Sequence, residues 1–300
     1  MDIVVIVGQV PATDMEIQYD RLLKGVDPND ILYTASRYDL HAVEEAIRIR
    51  DKQGKGTITL LGIGPNRVEA AMRIYLSMSA DAAIHICDRS LENADAYGLS
   101  LALSQAVKSM KYDLILCGAE SVDDYGCTLF LGPYLAEFLG LPQVSGVTKV
   151  ELQDVGQGLV VHRKIERGDR QVIRCRLPCL LTLETGINEP RYPTFPDSLA
   201  AMTKKIQVMN VAALGLRDAE ISHPDSLIKV AGFSPPRSRV KKGLVIDTKL
   251  SAVERMKIAM GGGLSAKTEK QTLLSGEISK VAEELLSLLT RQGIIRKSSK

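Results

Sequence analysis

Short apolar runs alternate with amphipathic stretches through the first half of this 300-residue chain. Runs at 2–7, 56–64, 81–87 and 112–118 are apolar at nearly every position, as is typical of strands buried on both faces of a parallel sheet. The spacing of apolar residues between and after them predicts helices over 39–52, 66–80, 93–110 and 128–141. This alternation predicts an α/β fold with a doubly wound, mostly parallel sheet of Rossmann-like nucleotide-binding topology.

The pattern changes after Pro142. Residues 158–184 alternate polar and apolar positions around a turn at 167–170, which predicts a β-hairpin inserted into the sheet. Later residues show weak periodicity until an amphipathic stretch at 277–293, which predicts a final helix. We therefore expect an α/β domain over 1–216, with a hairpin at 158–184 and a loop at 188–202. We expect the remaining region, 217–300, to form an arm and a helix that pack on their own domain or on a partner chain.

Composition excludes several classes of protein. The formal net charge of +2, without a basic stripe interleaved with aromatic residues, argues against binding to nucleic acid. No apolar run reaches the roughly 18–20 residues of a transmembrane segment, and the N-terminus lacks the features of a signal peptide. The five cysteines contain no Cys-x-x-Cys pair, which argues against a zinc site or a disulfide framework. We expect a cytoplasmic protein with free thiols and no bound metal.

The stretch "GAESVDDYGCTLFLGP", 118–133, carries the best chemical signal. It begins where a predicted buried strand ends, at the edge of the sheet where open α/β folds bind ligands. It then leads into a helix whose first N–H groups suit a phosphate. The residues alone leave two interpretations open, a nucleotide site and a capped loop. The turn "GIGPNR", 62–67, lacks the full dinucleotide fingerprint and is interpreted as a tight turn, and His85 as a core residue.

The stretch "EPRYPTFPDS", 189–198, contains three prolines and one of the four phenylalanines, Phe195. Proline fixes φ and removes a backbone donor, so the segment is unsuited to a helix interior or a central strand. Two interpretations are open for Phe195, a plug in the core and an anchor held out on a stiff loop for a partner.

The chain resembles the beta subunit of electron-transfer flavoproteins. The resemblance covers about 1–216 and is most specific over 161–196, including the sequence "NEPRY" at 188–192; Arg167 departs from the family pattern. The residues that match the family signature are Arg163, Glu166, Gly168, Asp169, Gln171 and the run from Pro178 to Thr182.

The resemblance implies a heterodimer with an alpha subunit that holds most of a redox FAD. This chain would enclose a second adenine nucleotide, AMP in ordinary members and a second FAD in electron-bifurcating members. The family usually has Lys where Gly8 stands and Asn-Pro where Ser36 and Arg37 stand. The implied nucleotide-binding residues are Ile6, Ser36, Arg37, Tyr38, Asp39, Ile63, Gly118, Ser121, Val122, Asp123, Gly126, Cys127 and Thr128.

The family also implies a function: an electron carrier without its own catalytic acid or base. Electrons would come from acyl-CoA-type dehydrogenases of fatty acid or aromatic acyl-CoA oxidation and pass to a membrane quinone oxidoreductase or another acceptor. The dehydrogenase would dock on the recognition loop, 188–202, through Tyr192, Thr194, Phe195, Pro196 and Leu199. The alternatives are an electron-bifurcating subunit coupled to NADH oxidation and, from another class, a stand-alone nucleotide-binding or adenylating enzyme.

Overall fold

The apolar runs of the first half form the parallel core of a nine-stranded sheet in the computed structural model of the chain. The structure describes residues 1–12, 14, 31–120, 128–153, 158–221, 251–253, 256 and 277–291. In chain order the strands are β1 (Ile3–Val7), β2 (Gln9–Pro11), β3 (Tyr33–Ala35), β4 (Ile58–Ile63), β5 (Ala82–Ile86), β6 (Leu114–Gly118), β7 (Gln143–Leu152), β8 (Leu159–Lys164), β9 (Arg170–Cys175), β10 (Cys179–Leu183) and β11 (Ile206–Met209).

The order across the sheet is β11-β5-β4-β1-β6-β10-β7-β8-β9. Neighbouring strands from β11 to β7 run parallel. At the far edge of the sheet, β8 pairs antiparallel with both β7 and β9. The predicted doubly wound, mostly parallel sheet is therefore confirmed. A separate antiparallel pair, β2 with β3, lies beyond the carboxyl end of β1.

Helices cover both faces of the sheet. The helices of this part of the chain are α1 (Arg37–Gln53), α2 (Val68–Ser77), α3 (Ala96–Lys108), α4 (Thr128–Leu139), α5 (Phe195–Thr203) and α6 (Asp218–Ile221). A further helix, α7 (Ile278–Arg291), belongs to a separate compact unit. Ile47 of α1 and Met72 of α2 pack in one hydrophobic cluster with Val5 of β1. Leu103 of α3 and Leu135 of α4 belong to a second cluster. Successive side chains of a strand point to opposite faces, which is why the buried strands are apolar at every position.

The predicted hairpin is shorter than expected. The antiparallel pair β8–β9 ends at Cys175, and β10 lies between β6 and β7 as a central parallel strand. Every residue of β10 is buried, whereas most of β9 is exposed. The run "CLLTL" suits burial on two faces, so 179–183 joins the core and the hairpin covers only Leu159–Cys175.

The loop expected over 188–202 also differs from the structure, because α5 begins at Phe195. The Thr194 side chain accepts a hydrogen bond from the Asp197 amide, and the Asp197 carboxylate accepts one from the Thr194 amide. This reciprocal arrangement is a capping box. Pro196 lies in the first turn, where its missing N–H has no partner to lose. Pro196 is therefore compatible with the start of this helix.

The chain divides into two compact units, 1–235 and 236–300. The boundary expected at 216 falls earlier than this division, because α6 packs against α3: the Ile221 carbonyl oxygen is only 2.2 Å from where a Cβ would stand on Gly98. In the second unit, α7 spans 278–291 where 277–293 was predicted, with Ile278 and Leu286 exposed. The arm expected between α6 and α7 lies almost wholly outside the described residues.

Candidate functional site

A cleft of about 570 Å³ opens at the carboxyl ends of β1, β4 and β6. From β1 the chain crosses through α1 to β4 on one side, whereas β6 lies on the other side of β1. The connections diverge there, and open α/β sheets bind ligands at such switch points. The described lining residues are Ile6, Val7, Gly8, Gln9, Val10, Tyr33, Ser36, Asp39, Ile63, Gly64, Pro65, Arg67, Val68, Leu91, Leu99, Cys117, Gly118, Glu120 and Leu131.

Tyr75 of α2 fixes two walls of this cleft from behind. Its side chain is fully buried, and its hydroxyl accepts a hydrogen bond from the Ser36 amide at 2.7 Å. The same hydroxyl donates to the Gly8 carbonyl at 2.9 Å. Gly8 follows β1 and Ser36 caps α1, so one phenol joins the end of the strand to the start of the helix.

Asp39, in the first turn of α1, lies against the same strand end. Its Oδ2 atom accepts a hydrogen bond from the Gly8 amide at 2.9 Å. On the other side, a Cβ added to Gly118 would lie 2.6 Å from Asp39 Oδ1 and 2.7 Å from Tyr38 Cβ. Only glycine allows α1 to approach the end of β6 this closely. The carboxylate is therefore held at the cleft by the close fit of three elements.

The acidic side of the cleft continues to Glu120, after β6. The Tyr38 hydroxyl donates a 2.9 Å hydrogen bond to Glu120 Oε2. Burial, and then the bond to Glu120, raise the pKa of Tyr38 to about 12. Burial, and then the nearby Asp39, raise the pKa of the Cys117 thiol. Both groups stay protonated at neutral pH, so Tyr38 is a hydrogen-bond donor and Cys117 a neutral part of the wall.

Arg67, just before α2, lines the cleft opposite these carboxylates. Its guanidinium lies 4.3 Å from the centroid of the Tyr33 ring, a cation–π contact that orients it. Sequence reasoning missed this residue because the turn 62–67 lacks a complete glycine fingerprint. The feature of the sequence that could have indicated a role for Arg67 in binding is that a basic residue stands where a predicted strand gives way to a helix.

The structure brings together five of the implied nucleotide-binding residues: Ile6, Ser36, Asp39, Ile63 and Gly118 all line the cleft. Tyr38 donates a hydrogen bond to Glu120, which lines the cleft. Arg37 lines a different depression, together with Asn188 and Tyr192. Thr128 begins α4, although its side chain is not described. Ser121, Val122, Asp123, Gly126 and Cys127 lie outside the described residues.

His85 lies on β5 and is buried. Its Nε2 atom is 3.0 Å from the Gly64 carbonyl, and burial lowers its pKa. The neutral ring therefore acts as a hydrogen-bonded core group, in line with the interpretation from sequence.

The segment expected to form the recognition loop, 188–202, presents an apolar face and is called the recognition segment below. Phe195 is 81% exposed, so it does not fill the core, and the plug interpretation is wrong. Leu199 and Met202 are 55% and 68% exposed and follow Phe195 at helical spacing. Tyr192, just before the helix, is 97% exposed. Thr194 and Pro196 shape the first turn of α5 and contribute less apolar surface.

Within the residues that the structure describes, no three His, Cys, Asp or Glu side chains come together in a way that could hold a metal ion. Of the helices in the described parts of the chain, none is both long and apolar enough to cross a membrane.

Comparison with known proteins identifies similar chains. Residues 26–214 match the family model of the electron transfer flavoprotein domain. The electron transfer flavoprotein subunit beta of Thermoanaerobacterium thermosaccharolyticum is 35% identical over 261 residues, covering 85% of this chain and 98% of the relative. The corresponding subunit of Bacillus subtilis is 34% identical over 253 residues, covering 84% of each. Protein FixA of Azotobacter vinelandii is 34% identical over 217 residues, covering 70% of this chain and 76% of FixA.

Proposed function

This chain belongs to the electron transfer flavoprotein family, as a beta subunit, and from that premise we propose that it is half of a heterodimeric electron carrier. In this proposal an alpha subunit holds most of the redox FAD, and the chain described here holds a second adenine nucleotide. The carrier accepts electrons from an acyl-CoA-type dehydrogenase and delivers them to a membrane quinone oxidoreductase.

The cleft at the switch point carries the proposal. Its volume of about 570 Å³ lies within the range of about 300–1,000 Å³ usual for small-molecule pockets. Ile6, Ile63 and Leu131 offer apolar walls to a flat base, and the Asp39 carboxylate offers an acceptor to ribose hydroxyls. Among the described lining residues only Arg67 carries a positive charge, and in this proposal its guanidinium pairs with the phosphate of the nucleotide.

The test is the nucleotide content of the complex. The chain is co-purified with its alpha subunit, denatured, and the released FAD and AMP are quantified. One FAD and one AMP per heterodimer supports the carrier, whereas two FAD and no AMP would favour the electron-bifurcating alternative. If the chain without a second subunit catalyses an adenylating reaction, the heterodimer is overturned and the stand-alone enzyme is favoured.

Arg67→Gln tests the cleft directly. Losing a hydrogen bond to a charged group costs about 1.5–3 kcal/mol, so nucleotide affinity should fall at least about tenfold. Affinity is measured by titrating nucleotide into the stripped complex. Arg217→Gln is the matched control, because Arg217 is exposed and its ion pair within the described residues is with Glu220, three residues away. Equal affinity in both variants would contradict a phosphate at Arg67.

Phe195→Ala tests docking at the recognition segment. Truncating an aromatic hot spot costs about 2–4 kcal/mol of binding, which corresponds to a rise of roughly 30- to 800-fold in the apparent KM of the dehydrogenase for the flavoprotein. The melting temperature should stay unchanged, since the ring is exposed. Val172→Ala, at an exposed apolar position of β9, is the control. An unchanged KM for Phe195→Ala would exclude docking through this residue.

A further inference from the structure

The connector between β10 and α5, residues 184–194, contains no helix or strand, yet two of its side chains are fixed against α1. Asn188 donates from Nδ2 to Glu45 Oε2 at 2.9 Å and to the His41 carbonyl at 3.0 Å. Its Oδ1 atom lies 3.0 Å from His41 Nδ1. Both polar atoms of the Asn188 amide are thus engaged by a single turn of α1.

The second fixed side chain is Arg191. Its Nε and Nη2 atoms donate to the two oxygens of Glu44 at 2.8 and 3.2 Å, and its backbone amide donates to Oε2 at 3.3 Å. Arg48 donates a further 2.9 Å bond to Glu44 Oε1. The Glu44 side chain is only 4% exposed. Burial raises the Glu44 pKa, but the bonds from Arg191 and Arg48 outweigh it and leave the pKa below its usual value.

The far end of α5 is held as well, by Arg73 of α2. Its Nη1 atom donates to the carbonyls of Ala201 and Met202 at 2.9 and 2.8 Å. These carbonyls belong to the last turn of α5, where a cation complements both the free acceptors and the helix dipole. The helix that carries Phe195 is therefore fixed to α1 before its first residue and to α2 at its last turn.

We infer that Glu44, Asn188, Arg191 and Arg73 are positioning residues that hold α5 in its docking orientation for an acyl-CoA-type dehydrogenase. This inference rests on the proposed function. An exposed apolar helix face gains affinity when its support is already ordered, because binding then pays less conformational entropy. A buried ion pair is weak evidence for a role in stability, since a protein is often equally stable when well-packed apolar residues replace the pair. A role in orientation explains why buried charge is used here.

The test uses the heterodimer with an acyl-CoA dehydrogenase from the same source and its acyl-CoA substrate. Glu44→Gln keeps the shape of the side chain and removes its charge. The apparent KM for the flavoprotein should rise about tenfold, the ratio that corresponds to 1.4 kcal/mol, with kcat and bound nucleotide unchanged. Amide hydrogen exchange over 188–203 should be faster. Arg191→Lys keeps the charge without the two-pronged contact, and it should give an intermediate KM.

Two controls separate orientation from stability and from docking itself. Val107→Ala, in the core on the opposite face of the sheet, lowers the melting temperature without touching α5 and should leave the KM unchanged. Combining Glu44→Gln with Phe195→Ala should raise the KM little beyond Phe195→Ala alone, because the anchor is already lost. If Phe195→Ala raises the KM and neither Glu44→Gln nor Arg191→Lys does, the positioning role is overturned. If Phe195→Ala itself has no effect, the proposed docking fails instead.

Discussion

The Tyr75 hydroxyl performs two tasks that a phenylalanine ring could not. It satisfies the Ser36 amide and the Gly8 carbonyl at the joint between β1 and α1. Because the side chain is fully buried, water cannot replace the hydroxyl when it is removed. A core aromatic residue thereby sets the position of backbone groups that line the cleft.

Tyr75→Phe should lower the free energy of unfolding by about 1–3 kcal/mol, the cost of leaving buried polar groups unsatisfied. Nucleotide affinity should fall in parallel, since Gly8 and Ser36 both line the cleft. Urea unfolding and nucleotide titration measure the two effects. Tyr112→Phe is the control, because no hydrogen bond of the Tyr112 hydroxyl is seen among the described residues. Equal stability of the two variants would contradict the role of the Tyr75 hydroxyl.

The sequence contains no sign of this role. Tyr75 lies in the helix predicted over 66–80, but no local pattern says which backbone groups its hydroxyl will meet. The same holds for Gly118, whose need for a bare Cα arises from Asp39 and Tyr38, about 80 positions away along the chain. Residues that shape the cleft through distant contacts are visible only once the elements are assembled.

Among the elements, α5 shows how a proline-rich segment forms a helix. The capping box of Thr194 and Asp197 satisfies the first backbone amides, and the fixed φ of Pro196 suits the first turn. The three prolines predicted a stiff segment. The capping box decides that this segment starts a helix and does not continue as a loop. Its two residues lie within 189–198, the stretch that was predicted to be a loop.

Thr194→Ala should loosen the first turn of α5. Loss of an N-cap costs about 0.5–2 kcal/mol of helix stability. Amide exchange at 196–199 should speed up, and docking through Phe195 should weaken several-fold. The matched control is Thr203→Ala, at the other end of the helix, whose hydroxyl donates a hydrogen bond to the Ala200 carbonyl and to no other group among the described residues. Identical exchange in both variants would show that the cap does not hold the turn.

The strands illustrate what local pattern settles and what it leaves open. Apolar runs predicted β1, β4, β5 and β6 to within two residues at each end. For β10, the run "CLLTL" was predicted to belong to the hairpin over 158–184, and this prediction was wrong about its partners, because β10 pairs in parallel with β6 and β7. Its complete burial on both faces decides for the core.

At the scale of the whole molecule, the C-terminal helix α7 keeps an apolar side without a described cover. Ile278 is 87% exposed, and Leu285 and Leu286 are 46% and 56% exposed. An exposed amphipathic helix of this kind gains stability by packing on a partner. This fits a role for α7 in association with the alpha subunit.

Leu285→Gln should therefore weaken association with the alpha subunit by about tenfold or more, since burying a leucine contributes roughly 1.5–3 kcal/mol. Deleting 277–300 should weaken it further. Titration calorimetry of the two subunits measures both. Glu283→Gln, an exposed polar position of the same helix, is the control and should leave the affinity unchanged. Unaltered affinity after the deletion would exclude α7 from the interface.

The central position of β10 also has a consequence for synthesis of the chain. Its neighbours β6 and β7 are made well before it, yet they do not pair with each other and must wait for 179–183 to enter between them. Until then both strands have unpaired edges, which are templates for wrong pairing. Until 179–183 has inserted between β6 and β7, the sheet is in two halves. Chaperones that shield strand edges should be needed most at that moment.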